Sequence, residues 1–159
     1  MERAKEDIIV AFDVGLKTGV AVIELGLPNK IFTSTVDVEH LMKYTLWADN
    51  VIAANIWVIE NFMLYAWEAK NQKFQKMDAA RVIGVLMHRA FELSIDIVFQ
   101  NAGNVKPVFP DNIMESFGFA DIKNHERDAL RHALYYIKKN RKEDLRWVIE
   151  KYTIQRESQ

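Results

Sequence analysis

Apolar positions change rhythm several times along this chain. "DIIVAFDVG" is a short apolar run that ends on Asp13 and Gly15, the pattern of a buried strand followed by a turn. "TGVAVIEL" and "KIFTSTVDV" read as two further strands, and the Gly, Pro and Asn of "GLPNK" between them predict a hairpin. The first three strands therefore form an antiparallel meander. "VEHLMKYTLWADN" then carries Leu41, Met42, Leu46 and Trp47 at helical spacing, and "IWVIEN" is a short apolar run closing on Glu60. Strong helix formers from about Met77 to Leu93 predict a long helix whose apolar residues cover more than one face, so it is deeply buried or shared with a partner subunit. "DIVFQN" gives a fifth strand, "NAGNVKP" a loop, and "FPDNIMESFG" a short helix begun near Asp111. Two last helices, His125 to Lys139 and about Lys142 to Tyr152, are split at Asn140. The order predicts an α/β fold: a five-stranded mixed sheet, a three-strand antiparallel meander plus two parallel strands, with helices on both faces.

Composition narrows the chemistry. The 159 residues suit one domain spanning 1–159, and 50% hydrophobic and 27% charged residues are ordinary for a globular protein. No apolar run approaches the roughly 18 residues needed to span a bilayer, and "MERAKEDIIV" lacks a secretory signature, so the expected location is the cytoplasm with no membrane partner. The absence of cysteine excludes disulfides, thiolate zinc sites and cysteine nucleophiles, leaving oxygen and imidazole as metal ligands. A net charge of −1 does not advertise a nucleic-acid binder, but Lys70, Lys73 and Lys76 form one local basic cluster and Lys138, Lys139, Arg141 and Lys142 another.

Three acids then fall in suggestive places. Asp13 closes the first strand, Glu60 closes the fourth, and "HERDALRHA" sets His125 and Asp128 one turn apart beside the apolar flank of Ala129, Leu130, Ala133 and Leu134. Singly, each acid reads as a turn or helix-end residue. Together, if the two strands are parallel neighbours, they share the sheet edge at which open α/β sheets place ligands. Crowded carboxylates repel unless a cation neutralises them, and hard divalent ions take such oxygens. Two such ions about 3.5–4 Å apart suit in-line phosphodiester hydrolysis, with His125 either a ligand or a proton acceptor. His132, a turn further on, is expected to pack or to face DNA rather than to ligate.

"IIVAFDVGLKTGVAVIE", "WVIENFM", "MDAARVIGVLMHRAFE" and "HERDALRHAL", in that order, resemble the RuvC-type Holliday junction resolvases of the RNase H-like superfamily, particularly short phage members. The resemblance implies an RNase H-like nuclease domain whose active-site groups are Asp13, Glu60, His125 and Asp128, binding two Mg²⁺ or Mn²⁺ ions. It implies a homodimer through the helix around Ala80 to Ala90, acting on branched DNA such as a four-way junction, in the host cytoplasm if phage-encoded. It sets Lys106 near the scissile phosphate. Where the family keeps an aromatic that stacks at the junction centre, this chain has Met63, flanked by Phe62 and Tyr65; Phe62 could stack on a base or belong to the core. Lys70, Lys73 and Lys76 then read as phosphate contacts. The opening "DVGLKTGVAV" is also similar to that of the YqgF-like ribosomal RNA processing nucleases, which lack the "IENF" block and the last helix. An RNA-processing nuclease and a catalytically silent junction-binding dimer are the alternatives.

Overall fold

Five strands pair into one mixed sheet in the computed structural model, which describes residues 7–26, 30–61 and 73–157. β1 (Asp7–Asp13), β2 (Lys17–Leu25) and β3 (Lys30–Asp37) form the antiparallel meander, and β4 (Ile56–Glu60) and β5 (Asp96–Gln100) extend it in parallel. The order is β3-β2-β1-β4-β5, so the most apolar run occupies the centre, where both of its faces are covered. The helices are α1 (Val38–Lys43), α2 (Asp49–Ile52), α3 (Lys73–Leu93), α4 (Ala102–Val105), α5 (Asp111–Ser116), α6 (Asn124–Asn140) and α7 (Lys142–Glu157). Among the described residues no helix is long and apolar enough to cross a membrane.

Strand alternation divides the core in two. Ile8, Val10, Phe12, Val20, Val22, Trp57 and Ile59 pack with Leu41, Leu46 and Val51 and with Val82, Leu86 and Ala90 of α3. Ile9, Ala11, Ala21, Ile23 and Val58 pack on the other face with Ala129, Leu130, Ala133, Leu134 and Ile137 of α6. The second layer is built from small residues on both sides: Ala11 pairs with Ala21 in the sheet, and Ala129 and Ala133 come down on that face. Small side chains let the α6 backbone approach closely, which matters for the site.

Three elements differ from the pattern-based reading. Residues 38–50 are not one helix: Tyr44, at φ −127° and ψ −54°, ends α1, and a 3₁₀ turn at Thr45–Trp47 precedes α2. Leu41 and Leu46 are buried while Met42 and Trp47 are exposed, so only half of the apparent stripe faces the sheet. Trp47 instead donates its indole N–H to the Met42 carbonyl at 3.0 Å and lies under the Arg89 guanidinium. The stretch expected as a loop after β5 contains the single turn α4, and the break between the last helices falls at Arg141. The link between β2 and β3 lies outside the described residues.

Candidate active site

The site is assembled by register. In the parallel pair β1/β4, Phe12 lies opposite Ile59, so Asp13 and Glu60 leave the sheet at one edge. Strand alternation puts both on the face that holds Ala11 and Val58, beneath α6. Across the antiparallel pair, Asp13 faces Gly19. A Cβ at Gly19 would collide with the backbone carbonyl of His125, so the missing side chain is what lets the first turn of α6 rest on β2. His125 Nδ1 then lies 2.9 Å from Asp13 Oδ2. The neighbouring Glu126 turns the other way and accepts hydrogen bonds from the hydroxyls of Thr33 at 2.9 Å and Thr35 at 3.3 Å, fastening the helix start to β3.

One turn along α6, Asp128 faces two cations. Lys106 Nζ is 3.2 Å from its Oδ2, and the Arg131 guanidinium donates to its other oxygen while its second arm donates to Asp111. A further turn brings His132, buried beside the rung where Glu60 pairs with Gln100. Its Nδ1 lies 3.0 Å from Gln100 Oε1 and its Nε2 lies 3.5 Å from Glu60 Oε2.

The two strand-end acids are pushed in opposite directions. Burial raises the Asp13 carboxyl to about 9, helped by its hydrogen bond to Glu60 and by repulsion from Glu60 and Asp128, with Lys106 opposing. Burial would also raise Glu60, but hydrogen bonds from His132 and Asp13 and attraction to His132 and Lys106 hold it down at about 2. The pair therefore behaves as one dyad carrying a single proton on the Asp13 side across the neutral range.

Of the residues expected from sequence, Asp13, Glu60, His125, Asp128 and Lys106 come together. Phe62, Met63, Tyr65 and Lys70 lie outside the described residues; Lys73 and Lys76 fall on α3, with side chains outside the description. His132, expected to pack or to face DNA, is indeed buried, yet it reaches Glu60. Arg131, Gln100 and Asp111 were not anticipated. A signal existed for Arg131 and for the placement of His132: Asp128 and Arg131 are three apart, and His125 and His132 seven apart, spacings that share a helix face.

The donor set is hard oxygen with imidazole, and the burial and carboxylate repulsion that make Asp13 retain its proton are what a divalent cation would offset. As the side chains stand, no group of three or more His, Asp or Glu among the described residues is arranged to hold a metal ion, because Asp128 is turned onto Lys106 and Arg131. The chemistry of the set fits such an ion, with Asp13 and Glu60 as its core.

No family model and no curated protein matches the chain. Solved structures do, among them T. thermophilus RuvC in complex with Holliday junction substrate: TM-score 0.69 over 86% of this chain and 96% of that one, at 16% identity. At that identity the likeness is one of fold, and the fold of this chain is RNase H-like, as in RuvC.

Proposed function

We propose that this chain is a structure-selective, divalent-metal-dependent endodeoxyribonuclease that resolves Holliday junctions and other branched DNA. The observation that carries the reading is the gathering of Asp13, Glu60 and Asp128, from two parallel strands and one helix, at a single sheet edge where both Glu60 and Asp128 repel a charge on Asp13. A structural role gives no reason to bury mutually repelling carboxylates.

Asp13, Glu60 and Asp128, with His125 beside them, would hold two Mg²⁺ or Mn²⁺ ions. Such ions supply Lewis-acid stabilisation of the attacking and leaving oxygens of a phosphodiester. The protein's own contribution is positional. Gly19 and Glu126 fix the start of α6, His132 and Gln100 orient Glu60, and Lys106 offers a cation to the phosphate. His125, 2.9 Å from Asp13 and half-exposed, is placed either to ligate or to take a proton from water. Two copies would associate through α3, and support comes from its solvent side, where Met87 and Phe91 are exposed.

Incubation with labelled four-way DNA, duplex DNA and structured RNA, in Mg²⁺, Mn²⁺ or chelator, tests the reading. Metal-dependent cutting of the four-way DNA is expected. Cutting of RNA alone would point to an RNA-processing nuclease, and binding without cutting in every metal to a silent junction-binding dimer.

A further inference from the structure

Beside the carboxylates, a cleft of about 430 Å³ opens between α5 and the first turns of α6, lined by Lys106, Asp111, Asn124, Arg127, Asp128 and Arg131. Three cations face two carboxylates there, and they are unequally engaged. Lys106 and Arg131 are paired with Asp128, and Arg131 also with Asp111. Arg127 is not so committed: one arm donates to the neutral Asn124 amide at 2.9 Å, and its Nε stands 3.8 Å from Asp111, beyond hydrogen-bond reach. Nε of Arg127 and Nε of Arg131 are both buried with no hydrogen-bond partner among the described residues. Buried guanidinium donors are rarely left unused.

The two arginines are four apart on α6 and so share one face, stacked a turn apart. Arg131 is held on both arms and only 6% exposed, so its guanidinium is fixed before any ligand arrives. Paired planar forks with unused donors, over an excess of positive charge, suit the tetrahedral oxygens of a phosphate and repel a metal ion. The cleft shares Lys106 and Asp128 with the carboxylate cluster, so an anion within it lies alongside the reacting position rather than on it.

We propose that this cleft is a second phosphate subsite, taking the backbone phosphate next to the one that is cut; the identity of that ligand rests on the nuclease reading above. Binding there sets the register of the strand over the acids and leaves the reaction to Asp13 and Glu60. Lys106, shared by both places, spans the two adjacent phosphates.

Two measurements on the full chain test it. In chelator, the ¹⁵N signals of the arginine side chains are followed during titration with inorganic phosphate, against chloride at matched ionic strength. Saturable shifts of Arg127 and Arg131 with phosphate alone are expected, and a flat titration overturns the subsite whatever the enzyme cuts. In the second, junction affinity is read in an Asp13→Asn background with a single uncharged methylphosphonate at the linkage beside the cut, with and without Arg127→Gln. Each change is expected to weaken binding about 3- to 10-fold and to lower the salt slope by about one contact, and the two together are expected to do no more than either. Full additivity overturns the assignment to the backbone. Phosphate shifts without any response of junction affinity also overturn it, and mark a site for free phosphate. Failure of the nuclease reading shows separately, as absence of cutting, and leaves the phosphate titration to decide the cleft.

Discussion

α3 and α6 are the two long helices that cover opposite faces of the sheet, and they are used differently. α6 buries Ala129, Leu130, Ala133, Leu134 and Ile137 against the strands and places His125, Asp128, Arg131 and His132 along the border of that apolar face. α3 buries Ala79, Val82, Leu86 and Ala90 but turns Met87 and Phe91, the latter 83% exposed, away from the core. One helix spends its polar residues inside the molecule and the other leaves apolar residues outside it. The first helix is held by β1 to β4 on one side and by α7 beside it, whereas the second turns Met87 and Phe91 to solvent.

This contrast can be broken in four ways. Leu134→Ala removes a fully buried side chain and is expected to cost about 2–5 kcal/mol, whereas Phe91→Ala should stay within about 0.5 kcal/mol for the folded chain while weakening self-association. Denaturant melts and sedimentation read the two effects; a large stability loss from Phe91→Ala would show that the outer face of α3 is core after all.

Asp13→Asn is expected to reduce cutting by about 10²–10³-fold, the scale of losing one transition-state-stabilising group, while leaving junction binding intact. It should also stabilise the fold. The Asp13 carboxyl rises from 3.8 to about 9, so the stability tied to its proton is full below pH 3.8 and is lost as pH climbs through 9. The asparagine loses nothing over that window, and its melting advantage in chelator should widen from pH 4 to pH 9. A constant gap would mean that Asp13 carries no such proton.

Gly19→Ala forces the carbonyl of His125 away from β2. The expected cost is about 1–3 kcal/mol for overpacking, and a shift of α6 by ~1 Å would lower cutting about 10²-fold. Activity retained at the original level would show that the closeness of α6 and β2 has no bearing on the site. A smaller effect than that of Leu134→Ala, Asp13→Asn or Gly19→Ala is expected from Glu126→Gln, which weakens the clasp on Thr33 and Thr35 and removes a charge from the helix start. About 0.5–1.5 kcal/mol should be lost in a urea melt, with the metal requirement unchanged.

The strands and the acids that close them were legible because an apolar run ending in a carboxylate is a local pattern. The five-stranded mixed sheet followed from the order of those runs. The partners of the acids were legible only in part: His125 and Lys106 were expected beside them, whereas Arg131, Gln100 and the reach of His132 to Glu60 were not. The side of α6 that meets the sheet was marked by Ala129, Leu130, Ala133 and Leu134, but how closely the helix start approaches β2 is set at Gly19 by a contact with a residue more than a hundred positions away, and sequence spacing alone places His132 only on a helix face. Without that approach His132 reads as packing, although it bridges Glu60 and Gln100. The broken segment after β3 was missed for a similar reason: Leu41, Met42, Leu46 and Trp47 have a helical period, but the indole bond of Trp47 to Met42 lies within the segment and is invisible to periodicity.

The pairing of Phe12 with Ile59 has a consequence for how such a site tolerates change. Neighbouring residues of a strand point to opposite faces, so loss or gain of one residue within β4 would not weaken the arrangement by degrees. It would send Glu60 to the side of the sheet occupied by α3, with every helix still intact. Drift in this chain can therefore be generous in side-chain volume and still must be strict in length between Ile56 and Glu60, and a scan of single-residue deletions should find there a cliff that a scan of substitutions does not.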